Sequence, residues 1–319
     1  MKKKLFIYSL VLFNAAIATA QDAGFSQIQQ VPVLLNPSST GKFNQNWRVS
    51  GLFRNTSYNA SHTYTTGAVI AEKSVKVGAE KRDALGIGVS GLFDQSNSGA
   101  LKSNYIGLSM AYIKSLNVEG TSRLSAGLQA VWVTRRLDVN KLVFEDQFVS
   151  GGFSSSVPSA DAYRGGSLNY LDVNAGLSYH YTGTNYGFNA GAALFHINKP
   201  KEEFWGEDYR LASRITTDLG GYIGMGNNDK LHLSAVASFQ EEAREYLLGG
   251  YFSKAVGASD KDLHVNIGGY YRVNNSVIPY IGISFPEWGG GLSYDVGTGS
   301  ENKFNNSRKS LELSVQAYF

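Results

Sequence analysis

The sequence predicts an all-β fold: a transmembrane, antiparallel, up-and-down β-barrel of the outer-membrane type with about fourteen strands. Three observations carry this. Apolar residues alternate with small polar ones in run after run. The first twenty residues read as an export leader. The final residues alternate up to a terminal aromatic.

Composition sets the limits. The 319 residues are 43% hydrophobic and 13% aromatic against 17% charged, too apolar for a disordered chain. With no cysteine, disulfide scaffolds, thiolate metal sites and cysteine nucleophiles are excluded. No apolar run of about 18 residues follows the leader, which excludes helical spans. In the leader, Lys2, Lys3 and Lys4 precede an apolar stretch from Leu5 to Ala18, and Ala18-Thr19-Ala20 forms a small-x-small cleavage site. Residues 1–20 are therefore expected to be a signal peptide. Removing them takes three of 29 basic residues and none of 26 acidic ones, so the remainder is neutral. Nucleic-acid binding thereby loses its electrostatic support.

The clearest strand spans 170–181, where Leu171, Val173, Ala175, Leu177, Tyr179 and Tyr181 point one way and Asp172, Asn174, Gly176, Ser178 and His180 the other. Residues 123–133, 230–240 and 263–272 repeat the pattern. Shorter versions occur near 46–55, 62–71, 84–93, 104–114, 185–196, 213–225, 244–253, 276–285, 288–296 and 307–319. Short turn sequences around Gly183, Asn227-Asn228 and Glu287 fall on one side, with 72–83 a longer link there; Gly289-Gly290-Gly291 reads as a turn entering a strand. The long links 136–168, 197–208 and 295–306 fall on the other.

The polar face separates a barrel from a soluble sandwich. It carries Gly, Ser, Asn and Gln with scattered Arg, Asp and His rather than many Lys and Glu, as a crowded lumen requires. Trp47, Phe53, Tyr112, Trp132, Tyr179, Tyr181 and Phe285 suit interfacial girdles. Phe319 closes the last strand, as in the insertion signal of outer-membrane barrels.

Arg48, Arg54, Arg123, Arg210, Arg214 and Arg272 lie in or near strands, and on the lipid face each would cost ~2–4 kcal/mol at mid-depth. They belong in the lumen with acids such as Asp172, Asp218 or Asp295. Either a porin-like selectivity ladder or an ion-pair network filling the barrel results, the second being favoured. His180, His232 and His264 share lumen parity, and with His62 and His196 they form no HExxH pair. No nucleophile elbow, P-loop or dinucleotide fingerprint is present. Neither a catalytic residue nor a cofactor or metal site is expected.

Residues 21–45 precede the first strand, and Ile28, Val31, Val33, Leu34 and Leu35 are too apolar to leave in water. This segment is expected on the periplasmic side as a plug or docking element, with 46–319 forming the barrel. The loop 136–168, with Phe144, Phe148 and Phe153 among Ser, Gly and acids, is an extracellular partner site or a lid over the mouth.

Several motifs resemble one family in order and spacing. Gln21-Asp22, Phe25-Ser26-Gln27, Leu35-Asn36-Pro37 and Gly41 open the series. Arg48, Arg54-Asn55, Gly127-Leu128-Gln129, Phe144-Glu145-Asp146-Gln147, Tyr271-Arg272, Tyr294-Asp295 and Ser310-Leu311-Glu312-Leu313 continue it. Together they resemble the PorP/SprF proteins of the type IX secretion system in Bacteroidetes-like bacteria, with Ser38 where Ala is usual and Asn55-Thr56 where Asn-Gln-Trp is common. The resemblance implies a multi-pass outer-membrane barrel that is not an enzyme. It implies partnership with the secretion machinery and a secreted surface client such as an adhesin, in many members supporting gliding motility. Phe25, Ser26, Gln27, Asn36, Pro37, Phe144, Asp146 and Gln147 become candidate plug or partner residues, and Arg48, Arg54, Asp172, His180, Arg272 and Asp295 the candidate lumen network. The alternatives are a general or selective porin and, more remotely, a barrel-rim hydrolase.

Overall fold

The computed structural model describes residues 24–59, 62–78, 82–96, 99–154, 156–160, 165–202, 204, 209–256, 263–298 and 308–319. The expected leader, with Gln21 and Asp22, lies outside the described residues.

Among the described residues, fourteen long antiparallel strands close into one barrel in chain order. They are β1 Trp47–Asn59, β2 His62–Val77, β3 Asp83–Ser96, β4 Leu101–Ser115, β5 Ser122–Leu137, β8 Gly166–Thr182, β9 Tyr186–Phe195, β10 Arg214–Gly226, β11 Asp229–Gln240, β12 Ala243–Val256, β13 Leu263–Arg272, β14 Ser276–Ser284, β15 Trp288–Gly297 and β16 Lys309–Tyr318. Two-residue strands β6 Phe148–Val149 and β7 Gly152–Phe153 make a separate hairpin in the loop between β5 and β8. The last strand pairs with the first from Arg48↔Tyr318 to Ser57↔Lys309, so no ladder edge is left open. No helix among the described residues is long and apolar enough to cross a membrane.

Period-two alternation sorts the two faces. Val69, Ile106, Leu108 and Leu128 point outward, each more than 60% exposed, whereas Ser109, Ser125, Gln129, Asn174 and Ser178 are buried inside. An apolar exterior over a polar interior is the pattern of a barrel solvated by lipid. Trp47 and Trp132 stand on the outer surface, and the Lys73 ammonium lies 4.9 Å above the Trp47 ring.

Strands overrun the ends expected from alternation. The second continues past 71 to Val77, pairing Lys73↔Ile87 through Val77↔Asp83, so the link is 78–82 rather than 72–83. Beyond the hydrocarbon layer outward positions tolerate charge, as at Lys73, and the hydropathy signal fades while the hydrogen-bond ladder continues. Gly289, Gly290 and Gly291 lie within β15, not in a turn. One short turn has an evident local cause: Asn227 and Asn228 take φ of 50° and 64°, the pair of left-handed residues that a two-residue hairpin turn requires.

Residues 25–42 run inside the barrel, and 44–46 emerge exposed at its rim before β1. Pro32 starts the single helical turn α1, Pro32–Leu35, and Pro37 the next 3-10 turn, each proline standing where its missing N–H has no cost. Phe25 and Val31 pack on Leu52, Ala68 and Ile70. Ile28 packs on Leu247, Tyr270, Ile278 and Tyr280. These inward apolar residues depart from the small polar lumen that the sequence suggests, and they meet the segment's own apolar side chains. Full burial of such side chains contributes roughly 1.5–3 kcal/mol each.

Candidate functional site

The densest cluster of buried charge lies where the N-terminal segment meets β1, β13, β15 and β16. Arg54 is opposite Glu312 in the β1–β16 register, and Ser293 is opposite Glu312 in β15–β16. This brings Arg54, Glu312 and Asp295 to one inner wall. Glu312 accepts the Ser26 amide at 2.8 Å on one oxygen and the Gln27 amide at 2.7 Å on the other. The Gln27 side chain donates to the Glu312 carbonyl at 2.9 Å and to Ser293 Oγ at 3.1 Å.

Arg54 joins the segment to the same wall. Its guanidinium donates to Asp295 Oδ2 at 2.7 Å and to the Gly24 carbonyl at 2.7 Å. Ser26 Oγ lies 2.9–3.0 Å from the Asp295 carboxylate and accepts from Arg272 Nη2 at 3.1 Å. Arg272 Nη1 also reaches Glu245 at 2.8 Å. Carboxylates and guanidinium groups buried this deeply persist only when paired and hydrogen-bonded. Ser26 and Gln27 supply part of that pairing.

A second anchorage grips the segment on the far wall. Asn36 Nδ2 donates to the Leu177 carbonyl at 3.1 Å and lies 3.3 Å from Asp218 Oδ1. Its Oδ1 accepts the Ser38 amide at 3.0 Å, and Ser38 Oγ sits 2.8 Å from Ser178 Oγ. Inward glycines make this approach possible. A Cβ on Gly176 would come within 2.0 Å of Asn36 Oδ1, one on Gly127 within 2.4 Å of the Pro37 carbonyl, and one on Gly86 within 2.0 Å of the Thr40 carbonyl.

The chain then turns at Gly41, whose φ of +72° suits glycine. The Gly41 amide donates to Glu72 Oε1 at 3.0 Å, and Arg48 Nε donates to Glu72 Oε2 at 2.7 Å. Burial pulls the Lys42 ammonium down from its ordinary pKa, with Asp218 opposing and Arg48 reinforcing the shift.

The structure separates several residues that the sequence grouped. Arg54, Arg272 and Asp295 meet around Ser26, whereas Arg48 pairs with Glu72. Asp172 has no arginine partner in this cluster: its Oδ1 lies 3.0 Å from His196 Nδ1. His180 is buried in β8. In the long loop, Gln147 accepts the Phe144 amide at 2.9 Å and donates to the Val157 carbonyl at 2.6 Å. Asp146 accepts from Ser159 Oγ at 2.8 Å, and Phe148 is exposed. Arg135, near the same mouth, is ion-paired with Glu202. Sequence reasoning missed Glu312, Glu72 and Glu245 as charge partners, although the lumen parity of Glu312 within 311–319 was a usable signal.

No group of three or more metal-ligating side chains occurs among the described residues. The site's carboxylates are engaged by amides and guanidinium groups. What the arrangement does chemically is hold a polypeptide segment.

The family described as type IX secretion system membrane protein PorP/SprF matches residues 17–317. The chain belongs to the PorP/SprF family. The family of this PorP/SprF protein is one of secretion-system membrane proteins, and its fold is a closed antiparallel barrel. It is an outer-membrane, multi-pass protein. No curated protein matches the chain.

Solved barrels share the architecture at low identity. The Ralstonia pickettii toluene transporter TbuX superimposes with a TM-score of 0.54 at 11% identity, covering 94% of this chain and 96% of that one. The Pseudomonas putida toluene transporter TodX gives 0.54 at 8% identity, covering 90% and 92%. At these identities the likeness is one of fold.

Proposed function

We propose that residues 25–42 plug the barrel, and that the protein serves type IX secretion as a docking component rather than as a diffusion channel. Its short-turn end faces the periplasm and the machinery, following the usual asymmetry of such barrels. Its long loops, including 138–165 with Phe144 and Asp146, face outward and hold a secreted client such as an adhesin at the cell surface. Membrane lipid covers the apolar exterior.

The observation that carries this reading is the two-amide grip of Glu312 on Ser26 and Gln27, repeated on the far wall by Asn36. A segment held at both walls by buried hydrogen bonds and packed into two apolar clusters obstructs the lumen. Membership of the secretion family supplies the partner class.

Two measurements test it. Purified wild-type protein in planar bilayers is expected to be electrically silent, and a steady large current overturns the plug. Crosslinking from the outer loops and from the short-turn end is expected to recover a surface client and a machinery component respectively. Recovery of neither overturns the docking role.

A further inference from the structure

A cavity of about 360 Å3 opens inside the barrel at the short-turn end, between Gln29–Gln30 and the inner wall of β11–β16. Its size is that of a small-ligand site. Lys230 and His232 face it from β11, and His264 and Asn266 from β13. Among the described residues that line it there is no Asp or Glu.

The aromatic side chains are already ordered. His232 stacks on Tyr251 at 4.5 Å and 10° between planes, and Tyr251 lies 5.6 Å from Tyr280. The Lys230 ammonium sits 5.0 Å above the Tyr222 ring, so its position is set by aromatic contact rather than by an acid. Asn266 is 6% exposed, and its Nδ2 donates to Ser284 Oγ at 3.3 Å. Its Oδ1 has no hydrogen-bond partner among the described residues. A buried acceptor left this way takes its donor from water or from a ligand in the cavity.

The geometry points to a binding site for the carboxyl-terminal end of a polypeptide. Such an end presents a carboxylate for Lys230, an adjacent amide N–H for the Asn266 oxygen, and a side chain for the Tyr251 and Tyr280 faces. A free fatty acid lacks the N–H donor, and a cationic tail meets Lys230 unfavourably. This inference rests on the proposed periplasmic orientation and names the chemistry that a periplasmic partner would offer.

The test uses full-length protein in lipid nanodiscs, which expose both ends, with three calorimetric probes: N-acetyl-Gly-Tyr-Phe as the free acid, the same peptide as its C-terminal amide, and decanoate. The free acid is expected to bind at least tenfold more tightly than the amide, with no decanoate binding. Lys230→Gln is expected to bring the acid down to the amide's affinity. Equal acid and amide affinities, no peptide binding, or decanoate binding as tight as the acid's each overturn the proposal. The acid–amide comparison needs only wild-type protein, so it stands if the variant fails to fold. Conductance of the same preparation reports on the plug separately: a silent barrel that ignores the peptide removes this site and leaves the plug reading intact.

Discussion

Glu312 and Ser26 lie 286 residues apart in the chain and 2.8 Å apart in the barrel, where the carboxylate of the last strand accepts an amide of the N-terminal segment. The same carboxylate takes the Gln27 amide and lies 3.7 Å from Arg54. Removing one partner of a buried ionic set costs roughly 3–5 kcal/mol, because the remaining charges lose their compensation. Glu312→Gln is therefore expected to loosen the segment while the ladder of the fourteen-stranded barrel stays closed. In planar bilayers the variant should flicker open where wild type is silent. A variant as silent as wild type counts against Glu312 as the main hold.

Glycine placement gives a test that leaves the charges alone. Gly176→Ala puts a methyl 2.0 Å from Asn36 Oδ1, which must move, whereas Gly91→Ala meets nothing within 4 Å. Overpacking of this kind costs typically 1–3 kcal/mol. Gly176→Ala should expose residues 25–42 to protease while the barrel still migrates as a compact band on unheated gels. Gly91→Ala should match wild type in both readouts, and similar protection of the two variants would contradict close packing at Asn36.

Leu128 and Gln129 are neighbours on β5 that face opposite solvents: one is 61% exposed on the outer surface and the other 5% exposed inside. Arginine on the lipid face costs ~2–4 kcal/mol at mid-depth. Leu128→Arg should lower the unfolding free energy obtained from urea titration in liposomes by about that amount. An unchanged free energy would reverse the assignment of faces on this strand.

The barrel was legible in the sequence because lipid and lumen impose opposite chemistry on alternate residues, as in Leu171 to Tyr181. Strand ends were not, since Lys73 is outward and charged yet still within the ladder. Arg54 and Asp295 could be placed inside by parity and cost. Their partnership with Ser26, like that of Asp172 with His196, depends on which strands neighbour one another and on a segment with no periodicity. Glycines such as Gly176 looked merely permissive, and only the path of Asn36 reveals what they admit.

Phe319 joins the first and last barrel strands through its backbone as well as presenting its ring. Its amide donates to the Trp47 carbonyl at 3.1 Å, and its carbonyl accepts from the Asn46 and Trp47 amides at 3.0 Å each. The ring itself is 71% exposed, so it contributes little packing within the barrel. Backbone closure and the proposed insertion signal therefore separate by mutation. Phe319→Ala keeps every one of those hydrogen bonds and should leave the unfolding free energy from urea titration within about 0.5 kcal/mol of wild type, as expected for an exposed site. If the ring is what the insertion machinery reads, the same variant should accumulate more slowly in the outer membrane of living cells. Deleting Phe319 removes the hydrogen bonds as well and should lower both readouts. Normal accumulation of Phe319→Ala would assign the residue to closure alone.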